Sequence, residues 1–239
     1  MVVKLAENIE LLAKTERESA WREMAKQVAH EIKNPLTPMK LSVQFLQRSW
    51  TDNDENFEKK LEKYTQALID QINTLSNIAN EFSSFAKMPK PHNELVNLVQ
   101  KLENTINLFS HTDNVELGAD LGNYETLNIL ADKEQISRVF NNLIKNAIQA
   151  IPSDRKGQIF VSLTASDGMV LVKIKDNGGG ISEEQKDKLF IPNFTTKSTG
   201  MGMGLPIVKQ IIESADGKIW FESELNVGTE FYIELPVAE

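Results

Sequence analysis

The stretch VAHEIKNPLTPMKLSVQFLQRSW, residues 28–50, places apolar side chains at Val28, Ile32, Leu36, Met39, Val43, Leu46 and Trp50. Steps of three and four are the period of one helix face, so this segment is predicted to be helical. Pro35 sits inside that period without ending it, and a bend is expected there. Downstream, the same spacing recurs at Phe57, Leu61, Tyr64, Leu68, Ile72, Leu75, Ile78, Phe82 and Phe85. The polar turn TDNDEN, residues 51–56, lies between the two series and supplies residues suited to helix N-caps. Residues 1 to about 88 therefore read as an antiparallel helical hairpin. Two helices cannot enclose so many large apolar groups, and a symmetric pair of hairpins closing a four-helix bundle is the natural solution. A homodimer is predicted.

Upstream, Leu5, Ile9 and Leu12 begin a seam that turns polar at Glu16 and Ser19 before Met24. Residues 1–20 are expected to be a signal-transmitting helix, with a plain spacer as the alternative. The chain starts without a capping signal, so upstream sensor or membrane segments are expected to precede it. Residues 21–88 form the expected dimerisation domain, and residues 89–239 a second domain.

Lys87-Met88-Pro89-Lys90-Pro91 breaks the helical pattern and marks a linker. Beyond it, helical segments at about 97–110, 133–151 and 204–215 alternate with the strand-like runs VELGADL, LNILA, QIFVSLTA, MVLVKIKD, KIWFES and GTEFYIELP. The last four alternate apolar and polar residues, as antiparallel strands with one buried face do. The expected architecture is an α/β sandwich, one mixed sheet covered by helices on one side.

Composition narrows the function. Hydrophobic residues make up 41% and charged residues 25% of the 239, both ordinary for a globular protein. A formal net charge of −8 and the absence of a dense basic stripe argue against nucleic acid as a partner. With no cysteine, disulfides, thiolate metal sites and cysteine nucleophiles are excluded. That usage suits a reducing cytoplasm. No apolar run reaches the roughly 20 residues of a membrane span, and the N-terminus lacks a signal-peptide pattern.

Four local patterns carry chemistry. His30 lies about 200° around the helix from Val28 and Ile32, pointing away from the apolar seam. Glu31 follows it and can accept an imidazole proton, and Asn34 lies one turn on, over the same face. Taken alone, each of these is an ordinary surface residue. Asn142 and Asn146 stand four apart on the second predicted helix of the α/β half, where side-chain amides can hold Mg against a triphosphate without adding negative charge. Asp176 ends a strand before Gly178, Gly179 and Gly180, and a carboxylate there can accept from the exocyclic amine of adenine. The same residues would equally make a tight turn. Ser182 with Gln185 forms a capping-box pattern for a short helix. Gly200, Gly202 and Gly204 alternate before an amphipathic helix, a phosphate cradle of backbone amides that matches neither the Rossmann nor the Walker pattern. The polar stretch 192–203 around them suits a mobile lid.

In this order, the motifs resemble those of two-component sensor histidine kinases over essentially the whole chain. His30 through Pro35 is similar to the H box, Asn142 to Asn146 to the N box, and Asp176 through Gly180 to the first glycine box. Phe190 and Phe194 resemble the F box, Gly200 through Gly204 the second glycine box, and Thr229 the closing threonine motif. The wording VAHEIKNPLTPMKLSVQFL and FTTKSTGMGMGL is most similar to the NtrY-type nitrogen-regulation branch. The resemblance implies a HisKA hairpin followed by an ATP-binding domain of the GHKL type. It implies that His30 is phosphorylated from Mg-ATP with Glu31 as base, and that Asn34 positions water when the partner is dephosphorylated. Asn142 and Asn146 would carry Mg and Asp176 would read adenine. Gly178, Gly180, Phe194, Thr195, Gly200, Gly202, Gly204, Leu205 and Thr229 would line the ATP site. Many relatives carry lysine and an aromatic where this chain has Gln149 and Ala150, so Lys145 or Lys197 is expected to take that phosphate contact. The implied partner is a response regulator receiver domain, approached when the two domains swing about the linker. The rivals are a hydrolytic ATPase of the GHKL fold, which would place a glutamate at Asn142, and a non-enzymatic dimeric scaffold.

Overall fold

The computed structural model describes residues 2–86, 91–192, 194–195 and 202–238, with side chains left out for 2–24, 26, 27, 77 and 80–86. The chain divides into two compact units, a helical hairpin and an α/β unit.

In the hairpin, α1 runs unbroken over Val2–Thr51 and α2 over Phe57–Ala86. Pro35 and Pro38 lie inside α1. Each removes the N–H that would bond the carbonyl four residues back, at Glu31 and Asn34. The turn is closed by backbone bonds such as Asp54 N–H to Ser49 O at 3.0 Å and by Asn56 N–H to the Asp54 carboxylate at 2.9 Å. Lys60 bonds the other oxygen of that carboxylate.

The line along which α1 is buried differs from the apolar series read in the sequence. Val28, Pro35, Ser42 and Ser49 are buried, one every seven residues, the seam period of paired helices. The serines leave room for close approach between helices. Ile32, Leu36, Val43 and Trp50, expected in one seam with Val28, stand beside that line and are exposed. On α2, Ile78 is buried, while Leu61, Ile69 and Ile72 are exposed. Aromatic pairs close the loop end: Trp50 meets Phe57 edge-on at 5.4 Å, and Phe45 stacks on Tyr64 at 5.7 Å. The expected linker falls on Lys87–Pro91, of which residues 87–90 lie outside the described residues.

The α/β unit opens with β1 (Asn93–Asn97), α3 (Leu98–Phe109), β2 (Val115–Asp120), β3 (Asn128–Asp132) and α4 (Lys133–Ala150). It continues with β4 (Gly157–Ser166), β5 (Met169–Asp176), the one-turn α5 (Glu183–Lys186), α6 (Gly204–Ser214), β6 (Lys218–Glu224) and β7 (Gly228–Pro236). Five strands make a mixed sheet in the order β2-β4-β5-β7-β6, with β2 parallel to β4 and the other neighbours antiparallel. LNILA does not join this sheet. As β3 it pairs antiparallel with β1, because NELVN, unnoticed as a strand, supplies its partner. The alternation read in β4, β5 and β7 holds: Val161, Val172 and Ile233 face inward and have no exposed surface. Against them lie the buried faces of α4, including Phe140 and Leu143, and of α6, including Val208 and Ile212. Burying a side chain of this size contributes about 1.5–3 kcal/mol, so this layer carries the unit's stability.

Two N-caps fix where the helices start. Asn97 accepts from the N–H of Val99 at 3.1 Å for α3, and Asp132 accepts from Glu134 and Gln135 at 3.0 Å each for α4. The second oxygen of Asp132 accepts the N–H of His92 at 3.0 Å, tying β1 to the start of α4. That start sets the register of Asn142 and Asn146 further along the helix.

Candidate active site

The first constellation lies on α1. His30 and Asn34 are exposed, turned away from the buried line of Val28 and Pro35, whereas Glu31, three residues after Val28 and four before Pro35, lies beside that line and is half-buried. The expectation that the imidazole points away from the buried line therefore holds within the hairpin.

The second lies in the α/β unit, where α4, α6 and the ends of β5, β6 and β7 meet. Register places Asp176 beside Thr229 and Thr229 beside Ser223, so three polar residues form one row across neighbouring strands. All face the helix-covered side, and Asp176 is 5% and Thr229 6% exposed. One carboxylate oxygen of Asp176, Oδ1, accepts both the Gly178 N–H at 2.8 Å and the Thr229 N–H at 3.2 Å. Neither bond uses Oδ2, which is left to accept from a ligand. Burial pushes the Asp176 carboxyl up from its ordinary range, partly offset by the Gly178 and Thr229 N–H groups.

The glycines after Asp176 are needed for closeness. A Cβ on Gly178 would lie 2.7 Å from Asp176 Oδ1 and 2.8 Å from the Ala150 carbonyl. Gly180 has φ of +67°, and a Cβ there would fall 2.0 Å from the Glu224 carbonyl. The loop is fastened on several sides: Gly179 N–H bonds Ala150 O at 2.9 Å, and Asn226 N–H bonds Gly179 O at 2.7 Å. Arg155 Nη1 donates to the carbonyls of Asn177 at 3.1 Å and Asn226 at 3.2 Å. Ala150, where relatives were expected to carry an aromatic, is thus a backbone anchor of the loop, and Gln149 beside it is exposed.

Asn142 and Asn146 are half-buried on α4, and Lys145 between them is exposed. The Asn142 amide nitrogen donates to Arg138 O at 3.0 Å, which turns its oxygen outward. That oxygen lies 3.0 Å from where a Cβ on Gly204 would stand, so the first residue of α6 and the asparagine row meet because position 204 is glycine. Leu205 follows, half-buried, and the N–H groups of Gly204 and Leu205 lie ahead of the first helical bond, from Ile207 N–H to Met203 O at 3.1 Å. Gly202 has φ of +63°, and its backbone packs on Phe194, with a Cβ there only 2.4 Å from the Phe194 carbonyl. Phe190 meets Phe221 edge-on at 5.9 Å, with Lys209 5.7 Å above its ring. Thr195 is exposed. Lys197 and Gly200 lie outside the described residues, as does most of the expected lid.

Among the described residues no three histidines or carboxylates converge as a metal site. An amide oxygen from Asn142 with Asn146 beside it fits instead a hard cation whose remaining ligands are phosphate oxygens and water. An open groove of about 410 Å³ is lined by Glu116, Gly118, Phe160 and Lys175 and reaches Asp176 and Asn177 at the end of β5. Ser223 and Arg155 were not singled out in the sequence. Ser223 sits in an ordinary strand, and only cross-strand register would have brought it to Thr229.

Comparison with known proteins agrees with the ordered motifs. The family model described as "His Kinase A (phospho-acceptor) domain" matches residues 20–91, and that of the "Histidine kinase-, DNA gyrase B-, and HSP90-like ATPase" matches residues 131–239. The nitrogen regulation protein NtrY of Azorhizobium caulinodans is 34% identical over 96% of this chain and 30% of its own length. The chain spans 30–40% of the length of the first curated relatives it matches. The catalytic domain of histidine kinase ThkA is 34% identical with a TM-score of 0.54, over 61% of this chain and 95% of that one. ThkA in complex with the response regulator TrrA is 31% identical with a TM-score of 0.72, over 94% of this chain and 64% of that one.

Proposed function

This chain belongs to the histidine kinase family, and we propose that it phosphorylates its own His30 from Mg-ATP and passes the phosphoryl group to an aspartate of a response regulator. The observation that carries this reading is the neutral amide of Asn142. Hydrolases of the same nucleotide-binding fold place a water-activating glutamate there, whereas the Asn142 nitrogen is tied to Arg138 and offers only an amide oxygen. With no base at that position to activate water, the exposed imidazole of His30 is the suited nucleophile.

Asp176 accepts the adenine amino group through Oδ2, and the glycine backbone lies along the ring. The first turn of α6 and Lys145 or Lys197 hold the phosphates. Asn142 and Asn146 would hold magnesium, which supplies neutralisation of phosphate charge when bound. One ring nitrogen of His30 then forms the N–P bond as the bond from the γ-phosphorus to its bridging oxygen breaks, and ADP leaves with that electron pair. The proton on the other ring nitrogen passes to Glu31. Transfer to the regulator aspartate forms an acyl phosphate and restores the imidazole. Asn34, one turn on, positions the water that hydrolyses that acyl phosphate when the protein acts as phosphatase. The exposed line of Ile32, Leu36, Val43 and Trp50 supports a homodimer built by a second hairpin. No helix among the described residues is long and apolar enough to cross a membrane. We place the reaction in the cytoplasm, where ATP and the regulator are found, as part of a longer sensor.

Incubation with Mg and γ-labelled ATP tests the reading. Acid-labile, protein-bound label is expected in the wild type and none in His30→Ala. Steady release of free phosphate without bound label would move the protein to the hydrolytic class.

A further inference from the structure

The hydroxyl of Ser223 makes three short contacts: it receives the Ile181 N–H at 2.9 Å, reaches the Gly228 carbonyl at 3.0 Å and lies 2.9 Å from the Thr229 hydroxyl. A serine hydroxyl has one proton and two lone pairs. A carbonyl can only accept, so the serine proton is committed to Gly228. An N–H can only donate, so one lone pair is committed to Ile181. Toward Thr229 the serine oxygen is therefore an acceptor, and the single proton of Thr229 is drawn to it. Thr229 is left with lone pairs alone for anything else it meets.

We propose that Ser223 is a specificity-determining positioning residue: by holding the Thr229 proton, it makes Thr229 an acceptor beside the acceptor Asp176, so that the site favours a purine with a 6-amino group over one with a 6-oxo group. The inference rests on the reading of Asp176 as the adenine contact. Register supports it, because Asp176, Thr229 and Ser223 occupy one row on the same face of β5, β7 and β6. A pocket edge that offers only lone pairs matches the N–H donors of an amino group and repels a carbonyl oxygen. Without Ser223, the Thr229 hydroxyl rotates and donates, and the edge accommodates either purine. Ser223 also fixes the loop after Gly180 through Ile181, so its loss weakens nucleotide binding in general. Only the ratio between nucleotides separates the two effects.

The test is binding of ATP and of ITP, which carries the 6-oxo group, to the whole chain by calorimetry. In Ser223→Ala the ATP-over-ITP preference should fall about fivefold to tenfold, the worth of one neutral hydrogen bond. Thr229→Val, nearly isosteric, removes the same oxygen and should lower the preference as well; it serves if Ser223→Ala fails to fold. In the Thr229→Val background, Ser223→Ala should change the ratio no further. Equal weakening of ATP and ITP in Ser223→Ala would reduce Ser223 to a structural serine and overturn the proposal, as would an unchanged ratio in Thr229→Val. Asp176→Asn separates the two levels. If it lowers the preference and Ser223→Ala does not, only the role of Ser223 falls. If it leaves the ratio unchanged, the adenine reading falls and takes this proposal with it.

Discussion

In the α/β unit Phe140, Leu143 and Ile144 of α4 have no exposed surface, whereas along the hairpin Trp50 is 71% exposed and Ile72 50% exposed. Both regions carry apolar residues at helical spacing, so the difference lies in what covers them. Strands together with α3 and α6 close over α4 within the same chain. Two helices offer each other only one narrow face, and here that face is spent on Val28, Pro35, Ser42 and Ser49. The large side chains beside it stay exposed in the single chain. The α/β unit thus encloses its own core, while under the proposed dimer the hairpin would draw part of its stability from a second copy.

The largest effect should come from opening the closed core. Phe140→Ala removes a ring with no exposed surface from the middle of the α/β unit and should cost about 3–5 kcal/mol in chemical denaturation. The helical signal of the hairpin should persist while ATP binding is lost. Loss of both together would mean that the two regions fold as one, and the contrast would be broken.

The second effect should appear only in association. Ile72→Ser removes apolar surface that is half-exposed in the single chain. If a second hairpin covers it, the loss is about 1.5 kcal/mol per copy, roughly a 100-fold rise in the dimer dissociation constant once both copies are counted. Sedimentation equilibrium should show that rise, with unfolding of the α/β unit unchanged. A dissociation constant that does not move would take Ile72 out of any interface.

The same contrast explains what the sequence could and could not reveal. The helix boundaries around TDNDEN and the strands with regular alternation were legible because period and turn chemistry are local. So were Asp176 with its glycines and the asparagine pair of α4, since each is a short pattern on one element. What escaped depends on partners distant in sequence. NELVN has too few β-branched residues to read as a strand and becomes β1 through register with LNILA. The burial of Ser42 and Ser49 follows from how two helices meet, and residue type alone points the other way. Ser223 reaches Ile181 across 42 residues of chain, and Arg155 reaches Asn226 across 71. The candidate groups were visible as short patterns, and the ones that hold them in place were not.

The smallest effect compares one carboxylate from each region. Asp132 and Asp54 both stand where a helix begins, and both are held below the ordinary value of 3.8. At Asp132 burial pushes upward, but the N–H groups of Gln135, His92 and Glu134 outweigh it. At Asp54 the hydrogen bond from Lys60 is the main cause, with the Asn56 N–H behind it. A carboxylate whose folded pKa is depressed contributes stability above its unfolded pKa and loses it as pH falls through the folded value. Both contributions should therefore be intact at neutral pH and fade below about pH 4. They should part in salt. The bonds of Asp132 come from fixed backbone dipoles, so Asp132→Ala should cost about 1 kcal/mol of α/β stability at neutral pH whether NaCl is 0.05 or about 0.5 M. The Asp54 contribution comes from a flexible ammonium at the surface and should shrink with added salt. Denaturation of both alanine variants across pH and salt measures this. A salt-sensitive Asp132 would mean that charge, and not the capped helix start, holds the end of α4 from which Asn142 and Asn146 are set.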